Sequence, residues 1–200
     1  MKQFDQALQF AAEKHGSQYR KMSHLPYILH PMEVAVIAST MTQDEDVLVA
    51  ALLHDTLEDT GVTEEDLRTL FGDRVTELVL SETENKRAGL PSDVTWAIRK
   101  EESLRILKET DDRDIRILWL SDKLSNLRSF RRQYETIGSE VWGFTHQKDP
   151  AKQEWYYRSI ASCLSDLRDT EAYREYQQTL AILFGGFETE SAATTGKESK

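Results

Sequence analysis

Apolar residues recur along this chain every three or four positions, which is the period of a helix with one buried face. Phe4, Ala7, Leu8, Ala11 and Ala12 show this spacing at the start, and later segments repeat it. No segment alternates apolar and polar residues convincingly, as a half-buried strand would. The pattern therefore predicts an all-α fold, built as a helical bundle.

Capping residues and helix breakers place the ends of the predicted helices. Residues of the N-cap type stand before several apolar-periodic segments, namely Asp44, Thr63, Asp112, Asp149 and Thr170. Proline, glycine and polar runs supply the stops. Together these signals predict helices over residues 4–15, 31–41, 45–60, 64–71, 73–81, 93–109, 113–134, 150–167 and 171–185. The polar segments 16–29 and 82–91 are predicted to be loops.

The length of 200 residues suits one domain with a substantial core, and we predict that it spans residues 1–187. Additional C-terminal helices are expected to belong to it. The final segment 188–200 is polar and low in complexity, so we predict a disordered tail.

Composition narrows the environment and the partners. Hydrophobic residues make up 39% of the chain, and no apolar run approaches the roughly 20 residues of a membrane span. The first residues lack an apolar signal core, and the single cysteine, Cys163, lies in a segment typical of a packed helix. We therefore expect a cytoplasmic protein without membrane contact. The net charge of −10 argues against nucleic-acid binding, and any phosphate site must be built from a few local cations.

An adjacent His54-Asp55 pair interrupts an otherwise apolar segment that begins at Val47. An unpaired buried charge costs roughly several kcal/mol or more. These side chains therefore need a partner, and a divalent cation suits both. Glu58 and Asp59 follow four residues after His54 and Asp55, on the same sides of a helix. We predict a metal site there, with two further carboxylates close enough to handle the proton of an attacking water.

His30 and Asp122 interrupt the apolar pattern in the same way. A lone histidine just before a helix is more commonly a capping or core residue, and a lone aspartate after an apolar turn is more commonly a salt-bridged carboxylate. Asn126 lies four residues after Asp122, on the same helix face. Taken with His54 and Asp55, they give two imidazoles and two carboxylates, which suit Mn²⁺, Fe²⁺ or Zn²⁺ better than Ca²⁺.

Four stretches in this order resemble the hydrolase domain of the RelA/SpoT-type alarmone enzymes, which are HD-domain metal-dependent phosphohydrolases. They are Gln-Tyr-Arg-Lys at 18–21, Pro-Tyr-Ile-Leu-His-Pro at 26–31, and residues 51–60 and 121–128. These enzymes remove the 3′-diphosphate from guanosine tetra- and pentaphosphate. The resemblance covers about residues 3–132, implies an HD-domain helical bundle, and leaves the later residues as extra helices.

Roles follow from the resemblance position by position. It implies metal ligands at His30, His54, Asp55 and Asp122, usually with Mn²⁺; a catalytic acidic pair at Glu58 and Asp59 that orients or deprotonates water; and substrate contacts at Arg20, Lys21 and Asn126. The residues themselves agree on one point. Arg20-Lys21 is a cationic pair in a loop just before His30, where a phosphate could reach it.

The chain also departs from the family pattern. Residues 22–25 stand where the family often has a glycine, and residues 81–87 replace a common Val-Thr-Lys. Four cations lie nearby in the sequence: Lys86, Arg87, Arg99 and Lys100. Each is either a substrate contact or part of a solvated face, and we predict the solvated face for two of the four. The synthetase half of the long family members has no counterpart in these residues.

Three interpretations of function remain open from the sequence. The first is a small hydrolase of guanosine 3′,5′-bis(diphosphate), and the second is an HD-domain hydrolase of another nucleotide or phosphoester. The third, a nucleotide-sensing module without turnover, is disfavoured by the intact ligands and acidic pair. The expected partner is a nucleotide, and a homo-oligomer is left open. Four late aromatic residues are expected in the core, with a dimer contact or a lid over the cleft as alternatives: Trp142, Trp155, Tyr156 and Tyr157.

Overall fold

The computed structural model describes residues 2–21, 23–87 and 89–185. Within these residues the chain forms nine α-helices and two short 3-10 helices. In chain order they are α1 (Lys2–Lys14), α2 (Leu29–Ser39), α3 (Glu45–Leu53), α4 (Thr56–Asp59), α5 (Glu64–Glu82), α6 (Ser92–Glu109), α7 (Arg113–Ile137), a 3-10 helix (Gly138–Phe144), α8 (Pro150–Cys163), a 3-10 helix (Ser165–Leu167) and α9 (Glu171–Phe184). The β-type pairing found in this part of the chain is a single antiparallel bridge between Tyr19 and Pro26. The predicted all-α fold is confirmed.

The predicted helix starts are set by side-chain caps. The side chains of Asp44, Thr63, Asp112, Asp149 and Thr170 each accept a hydrogen bond from a backbone N–H of the following first turn. Each bond satisfies one of the donors that a helix start leaves without a partner inside the helix. These starts were predictable because a cap depends on residues that are close together in the sequence.

The predicted helix ends differ at several points. Gly72 has φ 86° and ψ 173°, so the stop predicted there is a sharp kink inside α5. Helix α2 begins at Leu29, so His30 lies in its first turn and not before it, which corrects the prediction. The reason is a pair of short-range bonds: the N–H of Leu29 donates to Pro26 and that of His30 to Tyr27, at 3.3 and 2.9 Å.

Helix α3 is the centre of the bundle. It is almost entirely apolar, and Val47 and residues 49–53 are buried. Helices α1, α2, α5 and α7 pack around it. Because α3 ends where His54 begins, this packing places the His-Asp pair at the inner end of a buried helix.

Helices α8 and α9 extend the bundle beyond the segment that carries the family resemblance. Helix α8 packs on α6 and α9, and α9 packs on α7. The hydroxyl of Tyr176 donates to the carbonyl of Tyr157 at 2.9 Å, and Arg128 pairs with Glu175 at 2.5 Å. One apolar core continues from Ala7 to Phe184. The domain limits of 1–187 stay a prediction, and the predicted disordered tail, 188–200, lies outside the described residues.

Candidate metal centre

Three separate parts of the chain bring the four predicted ligands together. His30 comes from α2, His54 and Asp55 from the junction of α3 and α4, and Asp122 from the middle of α7. Nε2 of His30 lies 3.0 Å from Asp122 Oδ1 and 3.5 Å from Asp55 Oδ2. Nε2 of His54 lies 3.0 Å from Asp55 Oδ2 and 3.6 Å from Asp122 Oδ1. Both imidazoles therefore point the same nitrogen at the same two carboxylates.

The predicted continuous helix over 45–60 is wrong at the His-Asp pair. Helix α3 ends at Leu53, α4 begins at Thr56, and the hydroxyl of Thr56 donates to the carbonyl of Leu53 at 2.7 Å. Adjacent side chains on a regular helix do not face each other. At this break the side chains of His54 and Asp55 nevertheless meet, with Nε2 3.0 Å from Oδ2, close enough for both to face one metal.

The other nitrogen of each imidazole is already engaged. Nδ1 of His54 donates to the carbonyl of Ala51 at 2.8 Å. Nδ1 of His30 lies 2.9 Å from Ser125 Oγ, and that hydroxyl donates to Glu33 at 2.7 Å. Because the single hydroxyl hydrogen goes to Glu33, Ser125 accepts the hydrogen on Nδ1 of His30. Nε2 is therefore the nitrogen that each ring presents to the centre, and it offers a lone pair to a metal once any proton on it is displaced.

The donor set passes a chemical test for a divalent cation. Nε2 of His54 is buried, and its 3.0 Å approach to Asp55 Oδ2 is not aligned as a hydrogen bond, so it has no hydrogen-bond partner among the described residues. The ligand atoms of His30, His54 and Asp122 lie within 4.8 Å of one another. Asp55 stands outside this group of three and joins it through its contacts with the two imidazoles. Two imidazoles and two carboxylates suit a divalent transition metal. A cation bound here would satisfy the orphaned nitrogen and offset the charges of the buried Asp122 and the half-buried Asp55 carboxylates.

Electrostatics keep the two aspartates ionised. Burial would raise the pKa of Asp122, but the Lys123 ammonium in contact with it, together with both imidazoles, lowers that pKa well below its usual range. Burial likewise opposes ionisation of Asp55, and the charge of His54 outweighs it, so its pKa is also lowered. Both side chains thus present negative oxygens near neutral pH.

Tyr27 has a role at this centre that the sequence reasoning did not assign. Its hydroxyl donates to Asp55 Oδ2 at 2.7 Å and lies 3.3 Å from Asp59 Oδ2. Burial and the charge of Asp55 raise the pKa of Tyr27, so the hydroxyl stays protonated and remains a donor. The sequence signal that could have identified Tyr27 is its position three residues before His30, inside the same motif.

The predicted acidic pair lies beside the candidate ligands in a mixed environment. Burial, reinforced by Asp55, raises the pKa of Glu58, and Lys86 partly opposes this. Lys86 lies 3.4 Å from Glu58 Oε1 and also contacts the carboxylate of Asp59. Glu58 is thus a carboxylate whose affinity for a proton is raised by its surroundings.

The three predicted substrate residues line the same cleft. Asn126 Nδ2 donates to Asp122 Oδ1 at 2.8 Å, and its Oδ1 lies 3.5 Å from Arg20 Nη2. The Arg20 guanidinium lies 5.7 Å from the ring centroid of Tyr27, and Lys21 contacts His146. The structure therefore brings these residues together next to the candidate ligands.

The four additional cations separate into two groups. Lys86, Arg99 and Lys100 line the cleft, whereas Arg87 does not line it and pairs with Glu102 at 2.6 Å. Which two of the four are solvated charges and which are substrate contacts stays a prediction. Arg99 and Lys100 both bind Glu84, and the fold of residues 82–103 places that carboxylate between them.

The cleft has a volume of about 730 Å³, and late residues form part of its wall. They include residues 144–147, which were not selected from the sequence, and Tyr156, for which a place over the cleft was left open. Of the late aromatic group, Trp142, Tyr156 and Tyr157 are buried, which confirms the core prediction for them, while Trp155 is 44% exposed. Tyr156 and Tyr157 also line the cleft, so these core residues form part of its wall.

Buried residues beneath the cleft were also missed. Glu82 is buried, lines the cleft, and has no hydrogen-bond partner for its carboxylate among the described residues. Lys123 lies 3.8 Å from Glu82 and contacts Asp122.

No described helix is long and apolar enough to cross a membrane.

Comparison with known proteins places these features in context. The family model described as the HD domain matches residues 7–143. The chain is 39% identical over 127 residues to a guanosine-3′,5′-bis(diphosphate) 3′-pyrophosphohydrolase of Aquifex aeolicus, covering 64% of this chain and 18% of that protein. It is also 39% identical over 127 residues to a GTP pyrophosphokinase of Brucella ovis, covering 62% and 16%. The match thus spans less than a fifth of these curated relatives.

Two solved structures resemble the chain over most of their own length. One is a metazoan ortholog of SpoT that hydrolyses ppGpp and plays a role in starvation responses, with TM-score 0.71 and 31% identity over 92% of this chain and 95% of that chain. The other is the crystal structure of lmo0812 from Listeria monocytogenes, with TM-score 0.67 and 32% identity over 80% and 96%. The similarity to the first includes the helices that follow residue 143.

Proposed function

The chain belongs to the HD-domain family, and from that premise we propose that it is a metal-dependent 3′-pyrophosphohydrolase of guanosine 3′,5′-bis(diphosphate). The observation that carries the proposal is the convergence of two imidazoles and two carboxylates in a cleft lined by cations. The name of the Aquifex relative and the activity stated for the metazoan structure support the choice of substrate.

His30, His54, Asp55 and Asp122 would hold the metal. A bound divalent cation supplies Lewis-acid polarisation of a phosphoryl oxygen and makes a water more acidic. Manganese is the cation that we propose, on the strength of the family resemblance and of a donor set that also suits iron and zinc. Elemental analysis of protein purified without added metal tests this choice, and occupancy by another metal would reject it.

The reaction that we propose is an attack of water on the phosphorus attached to the ribose O3′. A new P–O bond forms to the water oxygen, the P–O3′ bond breaks, and O3′ receives a proton. The products are guanosine 5′-diphosphate and pyrophosphate. Glu58 is our candidate for the group that takes the water proton, because its raised pKa makes it a stronger base than an exposed glutamate. Asp59, held by Tyr27 and Lys86, would orient the water.

Substrate binding is assigned to the side of the cleft formed by Arg20, Lys21 and Asn126. Arg20 and Lys21 offer cations to phosphate oxygens, and charge-assisted bonds of this kind are stronger than neutral ones. Asn126 connects Arg20 with Asp122, so a phosphate bound by the arginine lies beside the candidate metal centre.

Product analysis tests the proposal directly. Purified protein with Mn²⁺ is incubated with guanosine 3′,5′-bis(diphosphate), other 3′-phosphorylated nucleotides, nucleoside triphosphates and simple phosphodiesters, and ion-exchange chromatography identifies the products. We expect pyrophosphate from the first substrate, and no product with Asp55→Ala as the matched control. Release of orthophosphate alone, or turnover of an ordinary nucleotide in its place, would support an HD-domain hydrolase of another substrate.

A nucleotide is the one partner that we propose. A cytoplasmic location is also part of the proposal, supported by the single free cysteine, Cys163, which has no partner for a disulfide within the chain. The sequence left open whether the protein forms a homo-oligomer, and a sizing experiment can test this.

A further inference from the structure

Two cations that line the cleft have no acidic partner in the part of the chain that the structure describes. Arg20 donates to Asn126, and Lys21 contacts the ring of His146, but neither forms an ion pair with a carboxylate of the described chain. Most other cleft cations are paired, as Lys86 is with Asp59 and Lys123 with Asp122. Unpaired positive charge concentrated in the cleft of a protein with net charge −10 indicates a site for an anion.

The neighbouring wall adds to this excess of positive charge. Arg99 and Lys100 share the carboxylate of Glu84, at 2.5 and 2.6 Å, and their side chains are only 11% and 17% exposed. One carboxylate thus serves two enclosed cations. Burial lowers the pKa of His146, and Lys21, Arg99 and two further lysines lower it more, which agrees with a neutral imidazole amid cations.

A buried hydroxyl in the same wall has no partner within the described chain. Tyr156 is 3% exposed, it lines the cleft, and its Oη makes no hydrogen bond to the described residues. The Lys100 ammonium lies 4.7 Å from its ring centroid. A buried hydroxyl without a partner is unfavourable, and an oxygen of a bound ligand would supply the missing acceptor.

The contacts follow an order along the cleft. Asp122 is bonded to Asn126, and Asn126 to Arg20. The next residue, Lys21, contacts His146, whose Nδ1 lies 3.4 Å from Ser92 Oγ. A ligand with one phosphate group at the metal end could therefore reach the lysine and histidine with a second one.

We propose that Lys21, Lys100 and Tyr156 form a distal anion subsite, in which His146 positions Lys21. This subsite binds the phosphate groups of the substrate that are not hydrolysed. The proposal rests on the proposed function, and for guanosine 3′,5′-bis(diphosphate) the bound group is the 5′-diphosphate. His146 and Tyr156 lie beyond the segment matched by the family model. The subsite makes the second diphosphate a determinant of affinity.

A binding experiment without metal tests the subsite apart from catalysis. Chelator-treated protein of residues 1–200 is titrated calorimetrically with guanosine 5′-diphosphate and, separately, with guanosine. We expect the diphosphate to bind at least about 10-fold more tightly, the value for one charge-assisted hydrogen bond. Lys21→Gln should abolish this preference. Tyr156→Phe, which removes only the hydroxyl, should reduce it about 2- to 10-fold while the melting temperature of the free protein stays equal or rises.

Matched variants separate the subsite from general charge effects. Arg87→Gln removes a cation that does not line the cleft and should keep the full preference. His146→Gln, whose amide can accept from Lys21, should retain binding that His146→Ala loses. Equal binding of the two ligands by the unaltered protein, or an unchanged preference in Lys21→Gln or Tyr156→Phe, would overturn the proposal. Failure to hydrolyse the bis(diphosphate) with this preference intact would reject the proposed function and retain the subsite.

Discussion

The hydroxyl of Ser125 lies 2.9 Å from Nδ1 of His30 and fixes which nitrogen of that imidazole carries the hydrogen. Ser125 in turn donates to Glu33, whose other oxygen lies 3.4 Å from Arg128. Arg128 pairs with Glu175 on α9. A candidate metal ligand is thus supported by contacts that reach the last described helix.

Ser125→Ala should weaken metal binding without unfolding the protein. It removes the acceptor that holds the His30 ring, and loss of such a supporting contact typically costs about 10- to 100-fold in metal affinity. Competition with a chromogenic chelator measures the affinity. Ser121→Ala is the control, because that buried hydroxyl bonds the carbonyl of Ile117 in its own helix. Equal losses in both variants would mean that the effect comes from packing.

Asp55→Ala and Glu58→Gln should fail in different ways. The first removes a charged ligand and should abolish both bound metal and hydrolysis. The second should keep the metal and lower kcat by roughly 10²- to 10⁴-fold, the usual contribution of an acid-base group. Metal content by elemental analysis, measured beside the rate, separates the two. A complete loss of metal in Glu58→Gln would identify Glu58 as a ligand.

Lys86→Met should move the acid limb of the pH–rate profile to higher pH. Glu58 must be ionised to accept a proton, burial raises its pKa, and the Lys86 charge holds that pKa down. Removing the charge lets the pKa rise, so activity appears only at higher pH. The profile of kcat/KM measures the shift, with Arg87→Met as a control outside the cleft. A shift to lower pH would show that another group controls this limb.

Arg20→Ala should raise KM or cut kcat/KM while leaving the metal content unchanged. A charge-assisted contact with phosphate contributes roughly 1.5–3 kcal/mol, or about 10- to 150-fold in affinity. Steady-state kinetics with guanosine 3′,5′-bis(diphosphate) measures the effect. Arg105→Ala is the matched control, since Arg105 does not line the cleft, pairs with Glu109, and both side chains are 64% exposed. An unchanged kcat/KM in Arg20→Ala would remove Arg20 from the substrate site.

Glu82→Gln should stabilise the protein increasingly as the pH rises. Burial raises the pKa of Glu82 from 4.5 to about 8, so between those values the folded chain holds a proton that the unfolded chain has lost. Stability therefore falls as the pH rises through this window, and each pKa unit corresponds to about 1.4 kcal/mol. Glutamine does not titrate, so the variant avoids this loss.

Melting temperatures of Glu82→Gln and the unaltered protein at pH 5 and pH 9, in chelator, check this. We expect the variant to gain relative to the unaltered protein between the two values. Glu77→Gln changes an exposed glutamate of the same helix and should show no such trend. A difference that stays constant with pH would mean that Glu82 ionises normally in the folded protein.

The sequence alone determined most of the helices and the chemistry of the ligands. Helix periodicity and the caps at Asp44, Thr63 and Asp112 involve residues within one or two turns, so no knowledge of packing was needed. His54-Asp55 in an apolar segment indicated a buried polar centre, since such charges need a partner. The local signal misplaced the start of α2 and missed the break after Leu53.

Only the tertiary structure decided which distant side chains meet. Ser125 and Glu33 lie 92 residues apart in the chain, and Lys21 and His146 lie 125 apart, yet each pair is in contact. Tyr156 was expected in the core, and the packing of α8 against α6 decides that this core residue also lines the cleft. Such meetings depend on how buried faces pack against one another, and a periodic pattern records that a face is buried but not which face it packs against.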